Sequence, residues 1–452
     1  MTSPWVNDSN AVLLTDLYEL TMLQSYFHEA VNETAAFDLF VRRLPASRNY
    51  LVVCGLEHAL HYLETLSFSP EAIEYLGSLK RFSKEFLNSL TEFKFSGDVY
   101  AVPEGTVMFP NEPIIEIIAP LPQAQLVETF LMNQIQIGTL AASKAARVVH
   151  AAGGRPVFDF GVRRMHGADA GIKAPRAFYI AGVAGTSNVL AGQLYGIPVA
   201  GTMAHSFIQA FENELDAFRR FVQQFPDAIL LVDTYDTSGG VRNVIQLARE
   251  MGPQFRVSGI RLDSGDIGQL AMESRKLLDA AGLTQVRIFA SSSLDEYAIE
   301  ELLSAGAPID GFGVGGRMGV SDDAPLLDTA YKLVEYAGQG RMKLSADKVS
   351  LPGRKQVFRE TDGETFSGDV IGLAGEKVSG KPLLVKVMEG GRRTQEPETL
   401  EQMRARCRSE IENLPPALRA LGPSKESYPI GLSQGLRELR AHTLDLIEED
   451  ES

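Results

Sequence analysis

Cysteine is nearly absent from this chain of 452 residues: Cys54 and Cys407 are the two present, far apart and in no CxxC pair. A disulfide framework and a cysteine-rich zinc site are thereby excluded as organising devices. Basic residues are also short. With 43 Lys and Arg against 58 Asp and Glu, the net charge is −15, which argues against nucleic acid as a partner because phosphate backbones need a basic face. A small anionic substrate remains compatible, provided a few arginines gather locally against that field. No run of about 18 apolar residues occurs, so no membrane span is expected. Met1 to Asn10 lacks the basic-then-apolar pattern of a secretory signal, and a cytoplasmic location is expected. What remains is ordinary: 44% apolar and 22% charged residues, the composition of a soluble globular protein with length for two or three domains.

From Arg155 to about Met318 one theme repeats, a short apolar run ending in polar or glycine residues and usually followed by a helical stretch. The runs are Pro156–Phe160, Ala177–Val183, Ile197–Thr202, Ile229–Asp233, Val257–Leu262, Val286–Ala290 and Ile309–Val314, with amphipathic segments such as Val241–Glu250, Gly268–Ala281 and Leu294–Ala305 between them. Alternation of this kind predicts a parallel sheet, and seven candidates favour a closed barrel over an open doubly wound sheet. Each unit carries its polar cluster at the same place: Asp159–Arg164, Thr202 with His205, Asp233–Asp236, Arg261–Asp266, Ser291–Ser293 and Gly313–Gly316. In a barrel all of these fall on the C-terminal rim, where active sites form. Before residue 145 the pattern differs, with a helix over Asp16–Phe27 starting at Thr15 or Asp16 and strands at Phe37–Val41, Phe95–Val102 and Ile114–Ile118. After about residue 340 come strand-like pieces and charged helices, Thr399–Ile411 and Gly435–Ile447, and the acidic tail Glu448–Glu451 reads as a solvated end. The expected division is a barrel domain over 146–344 and a second domain built from 1–145 with 345–452.

His205 has the most site-like setting of the seven histidines, among small residues just after the apolar run Ile197-Pro198-Val199-Ala200. Packing a strand end needs no histidine, whereas a neutral imidazole there can act as nucleophile, base or ligand. Alone, such a histidine is more often a hydrogen-bonded strand end; the neighbouring clusters reverse that reading. Arg261-Leu262-Asp263-Ser264-Gly265-Asp266 sets an arginine and two carboxylates around a tight turn, able to grip sugar hydroxyls or hold hydrated Mg²⁺, with a helix cap at Ser264 or Asp266 as the alternative. Gly313-Val314-Gly315-Gly316 can offer backbone N–H groups to a phosphate or be a plain turn. Arg163 and Arg164 suit a diphosphate or surface ion pairs. Phe160 and Tyr18 can stack on a planar ring or pack in a core.

Leu14–Met22, Phe158–Arg164, Gly201–Ser206, Gly259–Asp266 and Lys343–Arg359 (KLSADKVSLPGRKQVFR) together resemble the nicotinate phosphoribosyltransferases, a likeness running from about residue 11 to 390. It implies an α/β fold: an irregular seven-stranded α/β barrel with a second α/β sandwich domain built from the N- and C-terminal parts, assembled as a homodimer with shared active sites. It also implies joining nicotinate to phosphoribosyl pyrophosphate, giving nicotinate mononucleotide and pyrophosphate with Mg²⁺ present. ATP as co-substrate would drive this ligase-type reaction through a phosphohistidine, as the first step of NAD salvage.

By position, the resemblance makes His205 the phosphorylated residue. Phe160, with Tyr18 of the partner subunit, would sandwich the pyridine ring; Arg163 would hold the pyrophosphate side, and Arg261 with Thr202 the nicotinate end. Asp263 would orient the ribose, Gly315 and Gly316 would bind the 5-phosphate, and Asp266 also falls in the substrate site. The zinc-binding cysteine cluster of some relatives is missing. Nicotinamide-using enzymes of similar fold have an aspartate where Ser187 stands. An aspartate about 4 Å from a substrate carboxylate would cost about 4 kcal/mol at an effective dielectric near 20, on the order of a thousandfold in binding, so Ser187 favours the acid over the amide. The rivals are a nicotinamide- or quinolinate-using phosphoribosyltransferase, a barrel aldolase or isomerase (no lysine stands at the strand tips to serve one), and a non-catalytic metabolite-binding relative.

Overall fold

The protein is described in a computed structural model, over residues 5–344 and 350–450. Part of the Lys343–Arg359 motif, the outset of the N-terminal stretch and the end of the acidic tail lie outside the described residues. The chain divides into two compact units, one of Met1–Leu140 with Leu326–Ser452 and one of Ala141–Pro325. Among the described residues no helix is long and apolar enough to cross a membrane.

In the 141–325 unit six short parallel strands form one curled sheet, in the order Gly185–Thr186, Val157–Asp159, Gly311–Val314, Arg287–Ala290, Gly259–Leu262, Ile229–Leu231. Leu230, Ile260, Leu262, Ile288, Phe312 and Val314 are all buried, as strands covered on both faces must be. The helices Gly167–Ile180, Glu214–Gln224, Thr237–Met251, Ile267–Ala280 and Glu296–Ser304 alternate with them. Parallel strands end on a common edge, so the five polar clusters that follow them share one rim, which Thr202 and His205 reach from the segment bridged to Thr186.

Two strand expectations change. Ala177–Val183 is not a strand: its first four residues close the helix Gly167–Ile180, where Ala170, Ala174 and Phe178 recur every fourth position as a buried stripe. Gly182, at φ +110°, ends the turn that follows. Ile197–Thr202 supplies a single bridge, Val199 to Thr186, since Pro198 has no N–H to give a ladder. The sheet therefore has six paired strands among the described residues, with the seventh segment touching its edge.

Glycines shape the interior of the curl. A Cβ on Gly311 would lie 2.7 Å from the Phe289 ring, and one on Gly313 would lie 2.4 Å from the ring of Phe160. The missing side chains make room for aromatic rings inside the sheet.

The other unit is built on an antiparallel sheet ordered Gln339–Gly340, Thr329–Tyr336, Thr34–Val41, Pro113–Pro120, Asp98–Ala101, Val385–Glu389, Arg392–Arg393. Thr329–Tyr336 thus leaves the expected 146–344 domain and pairs with Thr34–Val41 from Ala35 to Val41. A four-stranded sheet of Lys381–Pro382, Lys355–Asp362, Thr365–Leu373 and Ile430–Leu432 and a two-stranded one of Leu51–Val52 with Val107–Met108 complete the strand framework. Leu39, Val99, Ile117 and Tyr331 sit in the core, with helices including Leu17–His28 and Leu121–Leu126 packed around it. Charges are buried here too: Arg359 lies between Asp369 at 2.6 Å and Glu410 at 2.7 Å.

Candidate active site

Arg261 is the last residue but one of its strand, Gly259–Leu262, and its side chain points into the curl. There it borders a cavity of about 140 Å³, whose walls include Phe158, Phe160, Thr202, Phe289 and Gly313; a dry cavity of roughly that size holds one six-membered ring. The guanidinium is poorly partnered. Nη2 donates to the Met203 carbonyl at 3.4 Å and lies 3.9 Å from Asp263, while Nε is buried with no hydrogen-bond partner among the described residues. Burial holds the Arg261 pKa below the usual arginine value; Asp263 and Asp233 pull it back up, and Arg163 adds to the lowering. A buried cation with donors to spare favours an incoming anion.

His205 begins the short helix His205–Gln209. Nδ1 shares a 3.1 Å hydrogen bond with Thr234 Oγ1, and Nε2 lies 3.7 Å from Asp263 Oδ2. Asp263 is itself fixed from two sides. Its N–H donates to Asp233 Oδ2 at 2.8 Å, and its Oδ1 accepts from Ser291 Oγ at 2.5 Å. Ser264 Oγ also donates to Asp233 Oδ2, at 2.6 Å. Three strand ends, after Ile229–Leu231, Gly259–Leu262 and Arg287–Ala290, therefore lock one carboxylate beside one imidazole. Thr202 borders the same cavity and donates weakly, at 3.3 Å, to the Met203 carbonyl.

Phe160 follows the strand Val157–Asp159, and its N–H donates to the Val314 carbonyl at 2.8 Å. Behind it Asp159 is wholly buried, accepting from the Gly161 N–H at 2.8 Å and Thr186 Oγ1 at 2.7 Å; burial raises its pKa. The Asp159 carbonyl accepts the Ser187 N–H at 2.8 Å, which places Ser187 beside the aromatic strand. Arg163 and Arg164 are exposed on the turn Val162–Arg164. Arg163 is the one felt by Arg261. Arg164 lies over Gly316, where an added Cβ would come within 3.1 Å of Arg164 Cδ. Gly315 and Gly316 lie on the same rim, after the strand Gly311–Val314.

The structure thus brings together Phe160, Thr202, His205, Arg261 and Asp263, with Ser187, Arg163, Gly315 and Gly316 on the adjoining rim. Asp266 caps the helix Ile267–Ala280, its Oδ1 accepting the Gln269 N–H at 3.0 Å. Tyr18 belongs to the other unit, on the helix Leu17–His28, with 46% of its surface exposed. Asp233, Thr234 and Ser291 are supporting residues to which the sequence alone assigns no role; all three stand within its rim clusters. Among the described residues no group of three or more His, Cys, Asp or Glu side chains is arranged to hold a metal ion. Asp233 Oδ1, however, is buried without a hydrogen-bond partner, and with Asp263 it fits a Mg²⁺ that takes one or two carboxylates and completes its shell from phosphates and water.

Sequence profiles of the nicotinate phosphoribosyltransferase family match in three parts: the N-terminal domain over residues 13–136, the family profile over 156–337 and the C-terminal domain over 374–440. A nicotinate phosphoribosyltransferase of Mycobacterium tuberculosis is 54% identical over 422 residues, 93% of this chain and 91% of that protein. One from Bacillus subtilis is 41% identical over 382 residues, 82% of this chain and 78% of that protein. The crystal structure of human nicotinic acid phosphoribosyltransferase superposes with a TM-score of 0.86 at 29% identity, covering 95% of this chain and 99% of that one. A nicotinate-nucleotide pyrophosphorylase from Pyrococcus furiosus superposes at 0.75 with 26% identity, covering 91% and 98%.

Proposed function

The chain belongs to the nicotinate phosphoribosyltransferase family, and we propose that it joins nicotinate to phosphoribosyl pyrophosphate, releasing nicotinate mononucleotide and pyrophosphate in NAD salvage. One observation carries the substrate assignment: the under-partnered Arg261 guanidinium at the wall of an aromatic cavity. A flat ring bearing one carboxylate satisfies both features. The amide offers a weaker match, having no charge to meet the guanidinium.

The nicotinate ring nitrogen attacks C1 of the ribose, and the C1–O bond to pyrophosphate breaks with its electron pair leaving on that group. The nitrogen carries no proton to remove, so no general base is needed. Positive character builds on the sugar, where Asp263 stabilises it electrostatically. Arg163 meets the charge gathering on the pyrophosphate, and Gly315 and Gly316 give N–H groups to the 5-phosphate. Mg²⁺, when bound, offsets the leaving-group charge.

His205 takes no part in breaking the glycosidic bond in this scheme. Its imidazole, oriented by Thr234, accepts the terminal phosphoryl group of ATP and passes it to water, coupling hydrolysis to product formation. Tyr18 of a partner subunit closes over the ring in a cytoplasmic homodimer. The test is direct: incubate the purified protein with phosphoribosyl pyrophosphate, Mg²⁺, ATP and either nicotinate, nicotinamide or quinolinate, and identify products by mass. Nicotinate mononucleotide as the main product supports the proposal; turnover of only another pyridine, or of none, refutes it. His205→Ala should retain slow synthesis without ADP release, and a folded variant devoid of all synthesis would refute the division of labour.

A further inference from the structure

Beneath the rim, two loops are tied together by a closed ring of ion pairs. Lys144, on the helix Glu128–Ala151, is 1% exposed, with Nζ 2.7 Å from Glu296, 2.7 Å from Asp323 and 3.3 Å from Asp322. Burial opposes its charge, but Glu296 and Asp323 more than offset this and hold its pKa above the usual lysine value. Arg147, one turn on, donates from Nε to Glu296 at 2.9 Å. Glu296 opens the helix Glu296–Ser304, and its neighbour Asp295 caps that helix by accepting the Ala298 N–H at 2.8 Å. The other Asp295 oxygen accepts from Arg317 Nη1, and Arg317 Nε lies 3.9 Å from Asp322, which closes the ring on Lys144.

The two loops so joined both end at the candidate site. One runs from Ser291, whose hydroxyl holds Asp263, to Asp295. Between these anchors Ser292 and Ser293 have φ values of +92° and +47°, a left-handed conformation that non-glycine residues keep only when their surroundings enforce it. The other loop carries Gly315 and Gly316, and Arg317 follows directly. Three cations (Lys144, Arg147, Arg317) face four carboxylates (Asp295, Glu296, Asp322, Asp323), a formal excess of one negative charge that disfavours a phosphate at Arg317.

We propose that Arg317 is a positioning residue: by gripping Asp295 it holds the strained Ser291–Asp295 loop against the Gly315–Gly316 loop, and so sets the shape of the ribose-phosphate end of the site. The inference rests on the functional reading above. Arg317→Gln removes the grip on a side chain 47% exposed, so the fold survives, as a melt would verify. Asp295→Asn removes the same ion pair while keeping a good helix cap.

Steady-state kinetics with phosphoribosyl pyrophosphate varied at saturating nicotinate read the effect. Each variant should raise KM for phosphoribosyl pyrophosphate roughly tenfold, about 1.4 kcal/mol, with kcat within about twofold. The double variant should do no worse than either single one, because the two residues share one interaction. Ser292→Gly with Ser293→Gly should restore much of the loss in the Arg317→Gln background by removing the strain. Unchanged KM in both single variants overturns the inference while a turning-over parent leaves the functional reading standing. A raised KM that is additive in the double variant and unrelieved by the glycines also overturns it, marking Arg317 as a direct phosphate contact. A parent enzyme without turnover overturns the functional reading and this inference with it.

Discussion

Replacing Arg261 by methionine should separate substrate selection from fold stability. In the free protein its guanidinium makes one weak bond, 3.4 Å to a carbonyl, stands 3.9 Å from Asp263, and leaves Nε buried and unpaired. A nicotinate carboxylate would accept two charge-assisted bonds worth about 1.5–3 kcal/mol each. Losing both predicts a fall in kcat/KM for nicotinate of roughly 10²–10⁴-fold. Nicotinamide has a single carbonyl oxygen to accept one such bond, so it should lose roughly ten- to a hundredfold. The discrimination between acid and amide therefore narrows by at least an order of magnitude. The same substitution removes a poorly compensated buried charge and fills its space with apolar volume, so the melting temperature should hold or rise. Parallel kinetics on the two pyridines and a thermal melt measure both halves. Equal losses on acid and amide, or a melting temperature lowered by many degrees, would refute the reasoning, because either result means that Arg261 is already satisfied within the protein.

Ser187→Asp should cost nicotinate roughly 10²–10³-fold in kcat/KM through charge repulsion and spare nicotinamide; an unchanged ratio between the two would place Ser187 away from the carboxylate. Arg359→Met strips the cation from Asp369 and Glu410 and should destabilise the fold by about 3–5 kcal/mol, read as a lower denaturation midpoint; a shift below about 1 kcal/mol would mean that these acids are neutral when buried. Burial pushes the Glu19 carboxyl up to about 7 from its ordinary 4.5. A folded-state pKa above the unfolded one means that the folded protein binds the extra proton, so stability falls as pH rises from about 4.5 to about 7. The contribution is at most about 3 kcal/mol. Glu19→Gln should therefore be more stable than the parent at pH 8 and similar to it near pH 4.5, and a difference independent of pH would contradict the assignment.

The fold class and the clustering of the candidate site residues are legible in the sequence, and the pairing of individual strands is not. Phe160, His205, Arg261 and Asp263 stand where strand runs give way to polar residues, so a rim can be read without knowing which strand neighbours which. The strands themselves have only two to four residues, too few for a periodicity to declare itself. For that reason the helical residues 177–180 look like a strand, and Thr329–Tyr336 falls with the barrel by its position in the chain. Its true partner, Thr34–Val41, lies about 290 residues earlier in sequence, and no local pattern encodes such a pairing. The support given by Asp233, Thr234 and Ser291 depends on hydrogen bonds across three loops. Their clusters are visible in sequence, whereas their partners require the fold. Asp266 is ambiguous in sequence, and its bond from the Gln269 backbone makes it a cap.

The most direct measurement is a crystal structure with nicotinate mononucleotide bound. The carboxylate should lie on Arg261, the pyridine ring against Phe160, the ribose beside Asp263 and the phosphate on Gly315 and Gly316. Density for the nucleotide elsewhere on the molecule, or with its phosphate on Arg261, would contradict the proposed site.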